Sequence, residues 1–130
     1  KAVELNPRNP RAYNNLGNLY KELGQVDEAL LFFKKAIELN PEYANAYNNL
    51  GITLASVQRT EEAIAAFKKA IEIDKNLASA HNNLSVVYYY EKQYDLAVKH
   101  CDIALELGYK VSPELLKFLD PFRQKVQSEF

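Results

Sequence analysis

The stretch "AYNNLG" at residues 12–17 returns unchanged at 46–51 and, as "AHNNLS", at 80–85. Each copy begins 34 residues after the one before it. Shifted by that distance, residues 10–43 superimpose on 44–77 and on 78–111. Seven columns are identical in all three copies: Ala12/Ala46/Ala80, Asn14/Asn48/Asn82, Asn15/Asn49/Asn83, Leu16/Leu50/Leu84, Ala29/Ala63/Ala97, Ala36/Ala70/Ala104 and Glu38/Glu72/Glu106. Repetition at such a period marks a solenoid, in which each unit buries its apolar face against its neighbours. Residues 1–7, "KAVELNP", match "KAIELNP" at 35–41, so residues 1–9 are expected to end a preceding repeat. The chain contains no methionine, so a piece of a longer protein or a processed chain is expected.

Within a repeat the apolar residues recur at helical intervals, twice over. Tyr13, Leu16 and Tyr20 make one stripe, and Leu30, Phe33 and Ile37 a second, so each repeat predicts a pair of helices. Asn9 before Pro10 reads as an N-cap followed by a first-turn proline, and Gly24 as the left-handed residue that stops the first helix. Asp27, Glu28, Glu61, Glu62 and Asp95 fall where they complement the dipole of each second helix. Asn40 and Pro41 close that helix and open the next unit. Gly17 and Gly51, inside helices, each cost roughly 1 kcal/mol relative to alanine. Ser85 keeps the same column small. The expected reason is a close crossing by the partner helix at Ala29, Ala63 and Ala97.

These residues resemble the tetratricopeptide repeat family. Its pattern is met in full by Tyr13, Leu16, Gly17, Tyr20, Ala29, Phe33, Ala36 and Pro41. The second copy keeps Tyr47, Leu50, Gly51, Ala63, Phe67 and Ala70, with Leu54 for the aromatic and Lys75 for the proline. The third departs further, with His81, Ser85 and Cys101, but holds Leu84, Tyr88, Ala97 and Ala104. The resemblance implies an all-α, right-handed superhelical solenoid of antiparallel helix pairs. Repeats are expected at 10–43, 44–77 and 78–111, with a C-terminal capping helix in 112–130. Ser112 and Pro113 start that helix, and Leu115, Phe118, Leu119, Phe122 and Val126 form its apolar stripe. Pro121 is expected to kink it or to restart it with Asp120 as a new cap.

In the family the first helix of each pair lines the concave side. Helical geometry then places Arg11, Asn14, Asn15, Asn18 and Lys21 on or near that side, with Asn45, Asn48, Asn49, Ile52 and Ala55 in the second copy and Ser79, Asn82, Asn83, Val86 and Tyr89 in the third. The surface changes from polar to more apolar along the chain, with Tyr90 adding aromatic area beside Tyr89. Six asparagines in helices cost roughly 3 to 4 kcal/mol against alanine, so something is expected to offset them. One amide per repeat can hold the C=O and N–H of an extended peptide. This is similar to the asparagine ladder in the repeats of O-linked N-acetylglucosamine transferase, whose matching column is Asn15, Asn49 and Asn83. Packing to a neighbouring helix or to water is the competing reading. Asn14, Asn48 and Asn82 read either as part of the peptide face or as solvated polar residues.

Other functions find less support. With 16 Lys plus Arg against 17 Asp plus Glu and a net charge of −1, the chain lacks the basic surplus that nucleic acid demands. No apolar run is long enough to insert in a membrane. The lone cysteine, Cys101, makes no internal disulfide, and with no signal-peptide pattern at the N-terminus a cytoplasmic location is expected. His100, Cys101 and Asp102 are consecutive, so on a helix they do not face each other and share no metal. Cys101 lies in the column of Phe33 and Phe67 and reads as core; His81 replaces Tyr13 and Tyr47. Lys34, Lys35, Lys68 and Lys69 read as a solvated outer face. No catalytic, metal or cofactor site is expected. The clamp that relatives use for the acidic tails of chaperones is also ruled against, because Asn14, Ser79 and Asn83 stand where its basic groups belong. The expected function is therefore a scaffold that holds a protein segment or peptide. The alternatives are a self-assembling module that forms homo-oligomers, and a substrate-recruiting arm of a larger enzyme such as a glycosyltransferase.

Overall fold

The computed structural model describes residues 8–128, with side chains as far as Arg123. Residues 1–7 and the side chain of Val126 lie outside the described residues. Among the described residues, seven helices follow one another: α1 (Pro10–Glu22), α2 (Val26–Leu39), α3 (Ala44–Ser56), α4 (Thr60–Ile73), α5 (Ala78–Tyr90), α6 (Tyr94–Glu106) and α7 (Pro113–Ser128). They form two compact units that divide after Asp74.

In the first unit α1 pairs with α2, α3 pairs with α4, and α2 packs on α3. The start of α1 is set by Asn9, whose Oδ1 accepts from the backbone N–H of Arg11 at 3.0 Å and of Ala12 at 3.3 Å. At its end Gly24 adopts φ +78°. The Gly24 N–H donates to the Lys21 carbonyl at 3.0 Å and the Gln25 N–H to the Tyr20 carbonyl at 2.9 Å. This is the paired-bond stop that glycine serves best. The same two bonds close α3 and α5, but there the left-handed residues are Gln58 at φ 63° and Lys92 at φ 64°. Between α2 and α3, Asn40 and Pro41 build a turn in which the Tyr43 N–H donates to the Asn40 carbonyl at 3.1 Å. Asn40 Oδ1 also accepts from the Glu42 N–H at 3.1 Å.

The small-residue column has a more specific cause than a close helix crossing. A Cβ added at Gly17 would lie 2.5 Å from Cε1 of Phe33, and one at Gly51 would lie 2.6 Å from Cε1 of Phe67. The aromatic ring of each second helix fills the space that a side chain on the first would need. In the second unit, where α5 pairs with α6 and α6 packs on α7, the exchange runs the other way. Cys101 replaces the ring, and Ser85 occupies the small column, with Oγ donating to the Ala97 carbonyl at 2.6 Å. All of these side chains are buried. The first two repeats therefore pack glycine against phenylalanine, and the third carries buried serine and cysteine in those two columns.

α7 runs unbroken from Pro113 to Ser128, with Pro121 inside it. It does not restart at Asp120. Both Pro121 and Lys117, whose carbonyl loses its i+4 donor, are exposed, so water can satisfy the freed acceptor. Ser112 caps the helix as expected, its Oγ accepting from the Leu115 N–H at 3.2 Å.

Candidate functional site

The doubled asparagines do two different jobs in the first unit. Asn14 is 7% exposed and Asn48 6%, so neither is a solvated polar residue. Asn14 Oδ1 accepts from Nδ2 of Asn49 at 3.0 Å, tying α1 to α3. A buried amide oxygen must be paired to avoid a cost of about 1–3 kcal/mol, and the second asparagine of the following repeat supplies the donor. Asn15 is exposed and Asn18, Lys21, Asn49 and Ile52 are half-buried. Asn49 thus commits one donor to its neighbour and keeps one donor and its acceptor.

In the second unit Asn82, Asn83, Val86 and Tyr89 are half-buried along α5. The Oδ1 of Asn82 is enclosed and has no hydrogen-bond partner. Helix starts explain why. Asn15, Asn49 and Asn83 each stand five residues after the first residue of α1, α3 and α5, and the same count along α7 reaches Phe118. α7 therefore presents a phenyl ring at the register where another asparagine would donate. That ring stacks on Tyr89 with centroids 5.5 Å apart and planes 11° apart. Tyr94 stacks on Phe122 at 3.7 Å, and Tyr90 meets Tyr89 edge-on at 5.5 Å and 76°. Tyr90 lies beside Tyr89 as the sequence suggests, whereas Phe118 and Glu114 are not legible there as part of this surface. The signal that finds them is the one-residue slip of α7, which starts 35 residues after α5 rather than 34.

The residues with chemical potential elsewhere are engaged structurally. His81 is buried, with Nε2 3.1 Å from the Lys75 carbonyl and Nδ1 3.0 Å from Nδ1 of His100. A carbonyl only accepts, so His81 donates through Nε2, and in the neutral ring its Nδ1 then accepts from His100. The His100 ring also stacks on both His81 and Tyr88. The Cys101 thiol is pushed up from its ordinary pKa by burial, against an opposing pull from Arg123, so it is not a ready nucleophile. Arg123 itself pairs with Asp102 at 2.5 Å. Among the described residues no three His, Cys, Asp or Glu side chains gather as metal ligands, and no helix is long and apolar enough to cross a membrane. Lys34, Lys35, Lys68 and Lys69 are exposed, and Lys35 and Lys69 pair with Glu38 and Glu72 one turn on.

A family profile described as tetratricopeptide repeat matches residues 11–76. The chain belongs to the tetratricopeptide repeat family. Among solved structures, the repeats are similar to a crystal structure of MamA protein, with a TM-score of 0.72 and 31% identity over 79% of this chain. The match spans 56% of the MamA chain. No curated protein matches the sequence. Membership makes this an all-α repeat protein of a kind that generally serves as a scaffold for protein partners. It also accounts for the helix pairs and the glycine-to-phenylalanine packing of residues 11–76.

Proposed function

We propose that this tetratricopeptide module is a non-catalytic scaffold that holds an extended segment of a partner protein on the open faces of its first helices. The observation that carries the reading is the division of labour in "NN". In the first unit Asn14 is buried and bonded, whereas Asn15 is exposed. In that pair Asn14 serves packing, and Asn15 stands exposed in a helix that alanine would serve better. Backbone groups of a peptide offset that cost through the amides of Asn15 and Asn49, with Asn18, Lys21 and Ile52 beside them. In the second unit Asn83, Val86 and Tyr89 play the corresponding part. Asn14 acts by positioning Asn49, and Asn48 and Asn82 belong with it on the packed side.

The test is peptide-display selection on the parent and on the Asn15→Ala, Asn49→Ala, Asn83→Ala triple variant, with circular dichroism showing equal helicity. Enrichment by the parent alone supports the reading. Identical enrichment by both, or none by either, removes it and leaves self-assembly as the reading to pursue.

A further inference from the structure

Between the end of α5 and the start of α7 lies a recess of about 160 Å³, lined by Val86, Tyr89, Tyr90, Ser112, Glu114, Leu115 and Phe118. Its size is about half that of the smallest ordinary small-molecule pockets. It suits the tip of one side chain rather than a whole ligand. Three of its walls are aromatic. Phe118 lies nearly parallel to Tyr89, and Tyr90 stands steeply to both, so the rings form a corner rather than a flat plate. Tyr90 is 72% and Phe118 46% exposed, an unusual amount for two large rings side by side.

The formal charge in the lining has one sign. Aromatic faces carry the negative side of the ring quadrupole. Glu114 adds a full negative charge, and among the described residues it forms no ion pair. Ser112 already uses its oxygen to cap α7. No lysine or arginine lines the recess. An anion would meet like charge here, and an aliphatic tip would leave the carboxylate without a counter-charge. A cation within about 6 Å of the ring centroids gains from both the rings and the carboxylate.

We propose that this recess takes the cationic tip of a lysine or arginine side chain of the bound peptide. The inference rests on the peptide-scaffold reading and adds a residue preference to it, placed at the α5 to α7 end of the second unit. The backbone is held by amides, and one side chain is read by aromatic rings and Glu114.

The experiment is NMR titration of the labelled 130-residue chain, following the ring resonances of Tyr89, Tyr90 and Phe118. Three probes are used: tetramethylammonium chloride against an equal concentration of sodium chloride, a blocked seven-residue serine–valine peptide with one central lysine, and its norleucine analogue. The expected result is saturable shifts with tetramethylammonium and with the lysine peptide. Norleucine should bind about tenfold more weakly, and Glu114→Gln, at an exposed position, should weaken the lysine peptide several-fold without loss of helicity. Equal binding of lysine and norleucine, or no ring shifts with tetramethylammonium, overturns the proposal. If tetramethylammonium moves the rings and neither peptide binds anywhere, the cation recess stands and the peptide-scaffold reading falls.

Discussion

Replacing Gly51 by serine and Phe67 by cysteine, singly and together, rebuilds the packing of the third repeat inside the second. Phe67 is 1% exposed, and its truncation to cysteine alone should cost about 3–4 kcal/mol in lost burial and cavity formation. Gly51→Ser alone forces a Cβ to within 2.6 Å of the Phe67 ring. Overpacking of that kind costs about 1–3 kcal/mol, of which about 0.5 is returned by the better helix propensity of serine. Added independently, the two changes should remove about 4–6 kcal/mol. In the native third repeat, however, where the ring's column holds cysteine, a serine in this column is buried and donates to the Ala97 carbonyl at 2.6 Å. With the ring gone, the introduced serine has room for its Cβ and the Ala63 carbonyl as an equivalent acceptor. The double variant should therefore lose only about 2–4 kcal/mol, a coupling of about 2 kcal/mol and within the range seen for residues in direct contact. Urea unfolding of all four proteins under reducing conditions, followed by far-UV circular dichroism, measures the cycle. Additivity within about 0.5 kcal/mol would refute the claim that glycine is retained to make room for the ring.

Three further outcomes are expected. Gln58→Gly and Lys92→Gly, at φ 63° and 64°, should each stabilise the fold by about 0.5–1 kcal/mol, because relief of the left-handed strain exceeds the added chain entropy; thermal unfolding decides the sign. Asn14→Ala and Asn82→Ala should act in opposite directions. The first breaks the bond to Asn49 and should cost about 1 kcal/mol, while the second removes an acceptor with no partner and should gain about 0.5–1 kcal/mol; denaturant midpoints of the two variants against the parent check the signs. His100→Ala takes the donor from the buried Nδ1 of His81 and should cost about 1–3 kcal/mol by denaturant titration, with His81→Phe, His100→Leu together recovering part of the loss.

The fold was legible because its signals are local. The 34-residue period, the Asn9 cap and the Gly24 stop all act within a turn or two of themselves. Gln58 and Lys92 perform the same stop with nothing in their residue type to announce it, and only their place in the repeat gives them away. The candidate site was half legible. Helical spacing placed Asn15, Asn49 and Asn83 at one register, but the burial of Asn14 and its bond to Asn49 arise from a residue 35 positions away. Propensity cannot see such a contact. The reason for the small column was also tertiary, since the ring of Phe33 or Phe67 competes for the volume of a Cβ. The sequence places Phe118 only in the apolar stripe of α7, because the slip of that helix conceals its register, and for the same reason the recess it forms with Tyr90 and Glu114 has no local signal.

Cys101 is the only cysteine in the chain and is fully buried in α6, which makes it a built-in clock. A thiol reagent can reach it only when its surroundings open, so the labelling rate, compared with that of a free thiol, reports the opening equilibrium of the 75–130 unit. No engineered probe is needed. Run beside circular dichroism of the whole chain, that rate tells whether the two halves of the array melt as one or let go in turn.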